Sequence, residues 1–461
     1  MTPSLNHAQA LTRLYQSWDT IELSQEALRI AQLGIVDVVA CILGGAGSEA
    51  AQKVRHMIEQ DASTGPATII GTSTRVSPAC AALANGVAGH VLDYDDMSFV
   101  LMMHPSVVLA PALFALGEAR RSSGADIVRA YVLGHEVNAH FARTMIPHHY
   151  DLGWHSTSSV GLFGATAACC RLLGMDAAQA LNAMAMAASH AGGLHGNFGF
   201  MTKSLHAGSA AETAVRSATL SAVGMTANPG LFDVTPGYFG VYGHNPLPKP
   251  VPPGGALEIE YSGIGIKPYP CAGPAMTLID AALQLRSAQG LSGTGIESVN
   301  VTVAPLAVKI MGFHEVADSL QAKYSLAYCA AVALIDGRAG LAQFDDARVL
   351  QDDVRELVRR TQVRSDPGKS CANAKFEVEI TVKLTDGRAF SHTLDTPLGH
   401  PSVPMQASEL ESKFMECAVA RLGASRSASA FAALLKLPDL PTISGLLELL
   451  RPAETPDAIT R

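Results

Sequence analysis

Between about residues 23 and 224, apolar side chains recur three and four positions apart, in Ala- and Leu-rich segments broken by Gly, Pro and polar turns. That spacing puts an apolar stripe on an α-helix. It predicts helices over 25–43, 105–120, 125–140, 161–173 and 207–223. Their many Ala, Gly and Ser residues let helices approach closely, as in a bundle. The pattern changes near Val251, where Pro248, Pro250, Pro252, Pro253 and Gly254-Gly255 predict a loop. Period-two, β-branched alternation then predicts strands over 295–304 and 376–384. The second strand runs into Thr385-Asp386-Gly387-Arg388 and returns over 389–394, which predicts a hairpin. Helical patterns at 275–287 and 321–334 lie between the strands, and those at 408–422 and 443–450 close the chain. The fold class expected is mainly α: a large all-helical domain, 1–266 and 397–461, with an inserted smaller α+β lid domain, 267–396. A cleft between such parts is a usual place for a small-molecule site.

With 48% hydrophobic and 16% charged residues in 461, the chain can bury one or two sizeable cores. Residues 33–43 carry Asp37 and run into Gly44-Gly45, so they are expected as a buried helix and no membrane span is expected. Residues 1–16 lack the basic start and apolar run of a secretory signal, so a cytoplasmic location is the default expectation. Eight cysteines without a Cys-x-x-Cys pair suggest neither zinc nor a disulfide framework. A net charge of −8 and the lack of a Lys/Arg block argue against a nucleic-acid partner. A small anionic substrate would need a few cations gathered locally.

Four clusters carry candidate chemistry. In His90-Val91-Leu92-Asp93-Tyr94-Asp95-Asp96, followed by His104-Pro105-Ser106, three close carboxylates must be paired, hydrogen-bonded or functional. A solvated loop capping the next helix, or a magnesium-binding loop, are the other readings. In Gly153-Trp154-His155-Ser156-Thr157, His155 sits at a helix entrance, where the dipole disfavours its protonated form and leaves a base available. A lone histidine is also commonly structural. The segment 192–208 sets Lys203 and His206 beside glycines, so that Lys203 can grip a carboxylate or lie exposed at a helix start. Gly196 to Gly199 lacks the spacing of a dinucleotide fingerprint. Finally, Lys267 lies between an apolar run and Pro268-Tyr269-Pro270-Cys271 at the proposed domain junction, where Cys271 reads as a packed thiol.

In this order and spacing, together with Lys323 to Tyr328 and Gly399-His400-Pro401 to Lys413-Phe414, the clusters resemble the MmgE/PrpD family. Its members include 2-methylcitrate dehydratases, cis-aconitate decarboxylases and an iminodisuccinate epimerase. The resemblance implies a homodimer whose active site lies between the domains without metal or organic cofactor. By motif position it implies a catalytic set of Asp93, His104, His155, Lys203 and Lys267. Two departures stand out. Decarboxylase-like members carry threonine at Met97 and histidines at Ala272 and Met276, while the dehydratases place an acidic residue near Ala272.

The activities of that family share the formation or quenching of a carbanion next to a carboxylate. Lys203 and Lys267 would hold the developing charge from opposite walls of one cleft, and a histidine would move the proton. His206 and Tyr269 are expected as further substrate contacts. Epimerisation needs two proton carriers and no acid to expel hydroxide, which His155 with His104 or Tyr328 would satisfy. The sequence reading therefore leads with an epimerase of an iminodisuccinate-like polycarboxylate, with a dehydratase- or decarboxylase-like lyase as the alternative.

Overall fold

The computed structural model describes residues 5–243, 257–371 and 375–453. The proline-rich loop expected at 248–255 lies outside the described residues. The fold is mainly α. The helices of the first core include α1 (Gln25–Gly45), α2 (Pro78–His90), α3 (Ser106–Arg120), α4 (Gly124–Met145), α5 (Gly161–Leu172) and α6 (Thr202–Ala222). Local signals start them. Ser24 and Ser77 accept backbone N–H groups at the beginnings of α1 and α2, and Pro78 occupies the first turn of α2, where its missing N–H costs nothing. Ser123 and Asp126 form a reciprocal capping box on α4.

Close approach of small residues fixes the arrangement that matters for the site. A Cβ on Gly86 of α2 would stand 2.7 Å from Gly208 Cα of α6, and one on Gly208 only 2.5 Å from Leu83 O. The two helices therefore touch backbone to backbone and run antiparallel, which brings the end of α2 beside the start of α6. Because α6 begins at Thr202, five residues before the expected start, Lys203 and His206 are helical.

A second core gathers Cys271, Val299, Leu326, Tyr328, Ile380 and their neighbours. It contains α7 (Gly273–Gln289), α8 (Leu326–Asp336) and a four-stranded sheet of β1 (Ile296–Val303), β2 (Thr361–Ser365), β3 (Val378–Leu384) and β4 (Ala389–Leu394), in the order β2-β1-β3-β4. β1 pairs parallel with β2 and antiparallel with β3, while β3 and β4 form the expected hairpin. Two features differ from the sequence reading. β2 was not expected, and the helix expected over 321–334 is two pieces, Ser319–Ala322 and α8, with Ser325 capping the second.

The chain then returns to the first core through α9 (Ala407–Leu422), whose Leu410 and Phe414 pack in the same cluster as Ile35 and Val38. α1 is long and apolar enough to cross a membrane by length and composition, but most of its apolar stretch is buried within the protein. Its fully buried Asp37 pairs with Lys413 of α9 at 2.6 Å. Lys413 Nζ also donates to Tyr94 O (2.7 Å) and Lys267 O (2.8 Å), tying both ends of the chain to the segments that carry the site.

Candidate active site

Between the two cores lies a cavity of about 280 Å³, whose polar wall is formed by Asp93, His104, Tyr150, His155, Thr157, Lys203 and Tyr324. Asp93 follows α2 with a left-handed backbone, φ +52°, a conformation an aspartate tolerates only at some cost. Lys267 holds it there. Its Nζ donates to Asp93 Oδ1 (2.6 Å), Asp93 O (3.0 Å) and Cys271 O (3.1 Å). The Tyr324 hydroxyl donates to Asp93 Oδ2, and Lys203 Nζ lies 3.0 Å from the same oxygen. Burial works against the Asp93 charge, but the two ammonium groups outweigh it and hold the carboxyl well below its ordinary range.

The Lys203 pair has the distance of a salt bridge without the angle of a hydrogen bond. The residue is 6% exposed, its ammonium is buried, and beyond this ion pair the ammonium has no acceptor in hydrogen-bond geometry. Burial lowers the Lys203 pKa, against the opposing pull of Asp93. A buried cation with N–H groups to spare, lining a cavity, is poised to receive an anion.

The other carboxylates of the cluster are used separately. Asp96 accepts from Ser106 N (3.3 Å) and Ser106 Oγ (2.6 Å) at the start of α3, so the capping reading was right for this one residue, although the loop is buried rather than solvated. Asp95 Oδ2 lies 2.8 Å from His90 Nδ1 and 3.2 Å from His104 Nδ1. With both Nδ1–H groups directed at Asp95, Nε2 is the ring nitrogen that His104 has left for a ligand in the cavity. The His90, Asp95 and His104 donor atoms, all within 4.8 Å of one another, are also the group among the described residues that could hold a metal ion.

His155 precedes the one-turn helix Ser156–Ser159, not α5 directly. Its N–H donates to Gly193 O (3.0 Å), and His195 N donates to Gly153 O (2.9 Å), so the two loops clasp each other. Its Nδ1 meets His206 Nδ1 at 3.2 Å, a contact that requires at least one ring to be unprotonated there. Burial, with His90 and Lys203 nearby, pushes His155 well below the ordinary histidine range, and burial brings His206 to about 4. The neutral state expected from the helix dipole is thus produced mainly by desolvation.

The structure brings Asp93, His104, His155, Lys203 and Lys267 together, with His206 behind His155. It does not place Lys267 on the cavity wall: the side chain is 0% exposed, behind Asp93, so the two lysines do not face each other across a cleft. Tyr328 and Tyr269 are away from the cavity. Tyr328 donates to Gln343 O and packs on Phe344 in the second core, and Tyr269 donates to Asp280 Oδ1 at 2.6 Å. Sequence reasoning missed Tyr324 and the role of Asp95. The continuous helix expected over 321–334 put Tyr324 and Tyr328 on one face, and the break before Ser325 is what separates them.

A helical body is joined to an α+β unit, with a buried lysine–aspartate–histidine site between them. The chain belongs to the MmgE/PrpD family: residues 9–250 match its N-terminal domain and residues 269–437 its C-terminal domain. It is 28% identical to a cis-aconitate decarboxylase of Mus musculus over 95% of this chain and 92% of that protein. Identity to the Homo sapiens cis-aconitate decarboxylase is 30%, over 83% of this chain and 81% of that protein. A 2-methylcitrate dehydratase of Cupriavidus necator is 24% identical over 72% of this chain and 73% of its own.

Proposed function

We propose that the chain is a lyase that decarboxylates a small unsaturated carboxylic acid in the cavity between its two cores. The observation that carries this reading is Lys203, a buried ammonium without a hydrogen-bond acceptor on the same wall as His104, whose Nδ1 is held by Asp95. The relatives named as decarboxylases support it, and the epimerase that the sequence reading put first stands behind it.

Lys203 donates to the carboxylate that stays. The C–C bond to the other carboxylate breaks and carbon dioxide leaves. The electron pair passes through the double bond into the remaining carboxylate, as an enediolate stabilised by the ammonium. His104, as imidazolium, delivers a proton from Nε2 to carbon and is reprotonated from solvent. His155, kept neutral by burial, hydrogen-bonds the substrate rather than acting as the acid. Asp93 and Lys267 fix the position and charge of Lys203, and Tyr324 fixes Asp93.

The test is incubation with cis-aconitate and with 2-methylcitrate in deuterium oxide, read by NMR and by carbon dioxide release. Carbon dioxide with one solvent deuterium on a product carbon is expected. Water loss without carbon dioxide would make the protein a dehydratase, and exchange at a stereocentre without net product an epimerase. No change in any acid would overturn the enzyme reading.

A further inference from the structure

The remainder of the cavity wall is unlike the polar part that holds Lys203. Met97, Phe99, Ile146, Ala272, Leu306 and Ile310 line it. Met97 is seated on the first turn of α7, where a Cβ on Gly273 would lie 3.0 Å from Met97 Cε. Among the described residues, Lys203 is the sole lysine or arginine that lines the cavity, and it already shares the charge of Asp93. The other polar groups on the wall are the imidazoles of His104 and His155 and the hydroxyls of Tyr150, Thr157 and Tyr324, the last already donating to Asp93, so Lys203 supplies the one ammonium among the described residues for an incoming anion. A third carboxylate would lose its hydration against carbon and sulfur without a second cation to pair with, which is costly.

Resting on the lyase reading above, we infer that the preferred substrate is an unsaturated dicarboxylate bearing an apolar substituent, which lies against the Met97–Leu306 wall. Lys203 anchors the carboxylate that stays, and the second leaves as carbon dioxide. For a 3-alkylglutaconate, the carbon–carboxylate bond of the CH₂ group breaks and its electrons move through the double bond into the conjugated carboxylate. A proton from His104 then adds at the former vinyl carbon. Dianion and proton become carbon dioxide and the 3-alkylbut-3-enoate monoanion, with no oxidant or reductant required. Burying each added methylene multiplies kcat/KM by about four until the cavity is filled.

The experiment measures carbon dioxide release by the wild-type protein from cis-aconitate and from 3-methyl-, 3-propyl- and 3-pentylglutaconate, so no variant has to fold. A kcat/KM that rises with chain length and exceeds that for cis-aconitate is expected. Release from cis-aconitate with a flat or falling series would overturn the inference while keeping the lyase. The wall would then serve only to strip water from the leaving carboxylate. No release from any of the four acids would overturn the lyase reading and the inference with it. In the favourable case, Ala272→His, which puts a polar ring into the wall, flattens the chain-length series and improves cis-aconitate relative to the alkyl acids.

Discussion

Replacing Asp93 by Asn keeps the shape of the side chain and an acceptor for Tyr324 but removes the negative charge between two buried ammonium groups. Deleting one partner of a buried ion pair costs about 3–5 kcal/mol, because the other charge is left uncompensated. Lys267 would keep two carbonyl acceptors, Asp93 O and Cys271 O, so the lower end of that range, about 3 kcal/mol, applies. At about 2.1 cal/mol/K of unfolding entropy per residue, a 461-residue chain carries about 1 kcal/mol/K. Asp93→Asn should therefore lower Tm by about 3 °C if the two cores melt together, and by more if they melt apart. Scanning calorimetry of the wild type, Asp93→Asn, Lys267→Met and the double variant gives the coupling directly. The double variant, with neither charge, should melt above Asp93→Asn. A double variant that loses the sum of the two single effects, or an Asp93→Asn protein that melts like the wild type, would refute the claim that this pair is held together by charge.

His104→Gln should lower turnover by about 10²–10⁴ with little change in KM, whereas His155→Gln should act mainly on KM; steady-state kinetics of both separates the acid from the binding group. Stability should fall as pH drops below about 6.5, because His90 (held at about 3) and His155 (well below its usual range) stay neutral in the fold while the same groups protonate in the unfolded chain. The loss continues until the folded pKa values are reached, and a Tm that stays flat from pH 7 to 5 would contradict it. Dialysis against a chelator should leave turnover unchanged, since His90 and His104 both direct Nδ1 at Asp95; loss of activity restored by a divalent cation would make that triad a metal centre.

Much of the helical scaffold was legible because apolar period and capping residue agree, as at Ser24 before α1, and the hairpin because Asp386-Gly387 separates two alternating runs. β2 was not, since of its five residues Thr361 alone is fully buried, leaving no alternation to read. At the site, the sequence shows which groups have chemistry but not how they pair. Asp93 meets partners 110, 174 and 231 positions away, in Lys203, Lys267 and Tyr324, and no local pattern encodes such contacts. Lys267 was expected on the cleft wall because it lies at the junction of the two parts, yet its ammonium turns inward to the one carboxylate and carbonyls that can satisfy it. Tyr324 was missed, and the break that separates it from Tyr328 is invisible in the sequence because both flanks are helix-forming.

The most direct measurement of the central claim is a crystal structure of the protein with an unreactive dicarboxylate, such as glutarate, in the cavity. One carboxylate should lie within hydrogen-bond distance of Lys203 Nζ, with the carbon chain between His104 Nε2 and the Met97 wall. A ligand bound elsewhere, with Lys203 paired to Asp93 alone and the cavity filled by water, would contradict it.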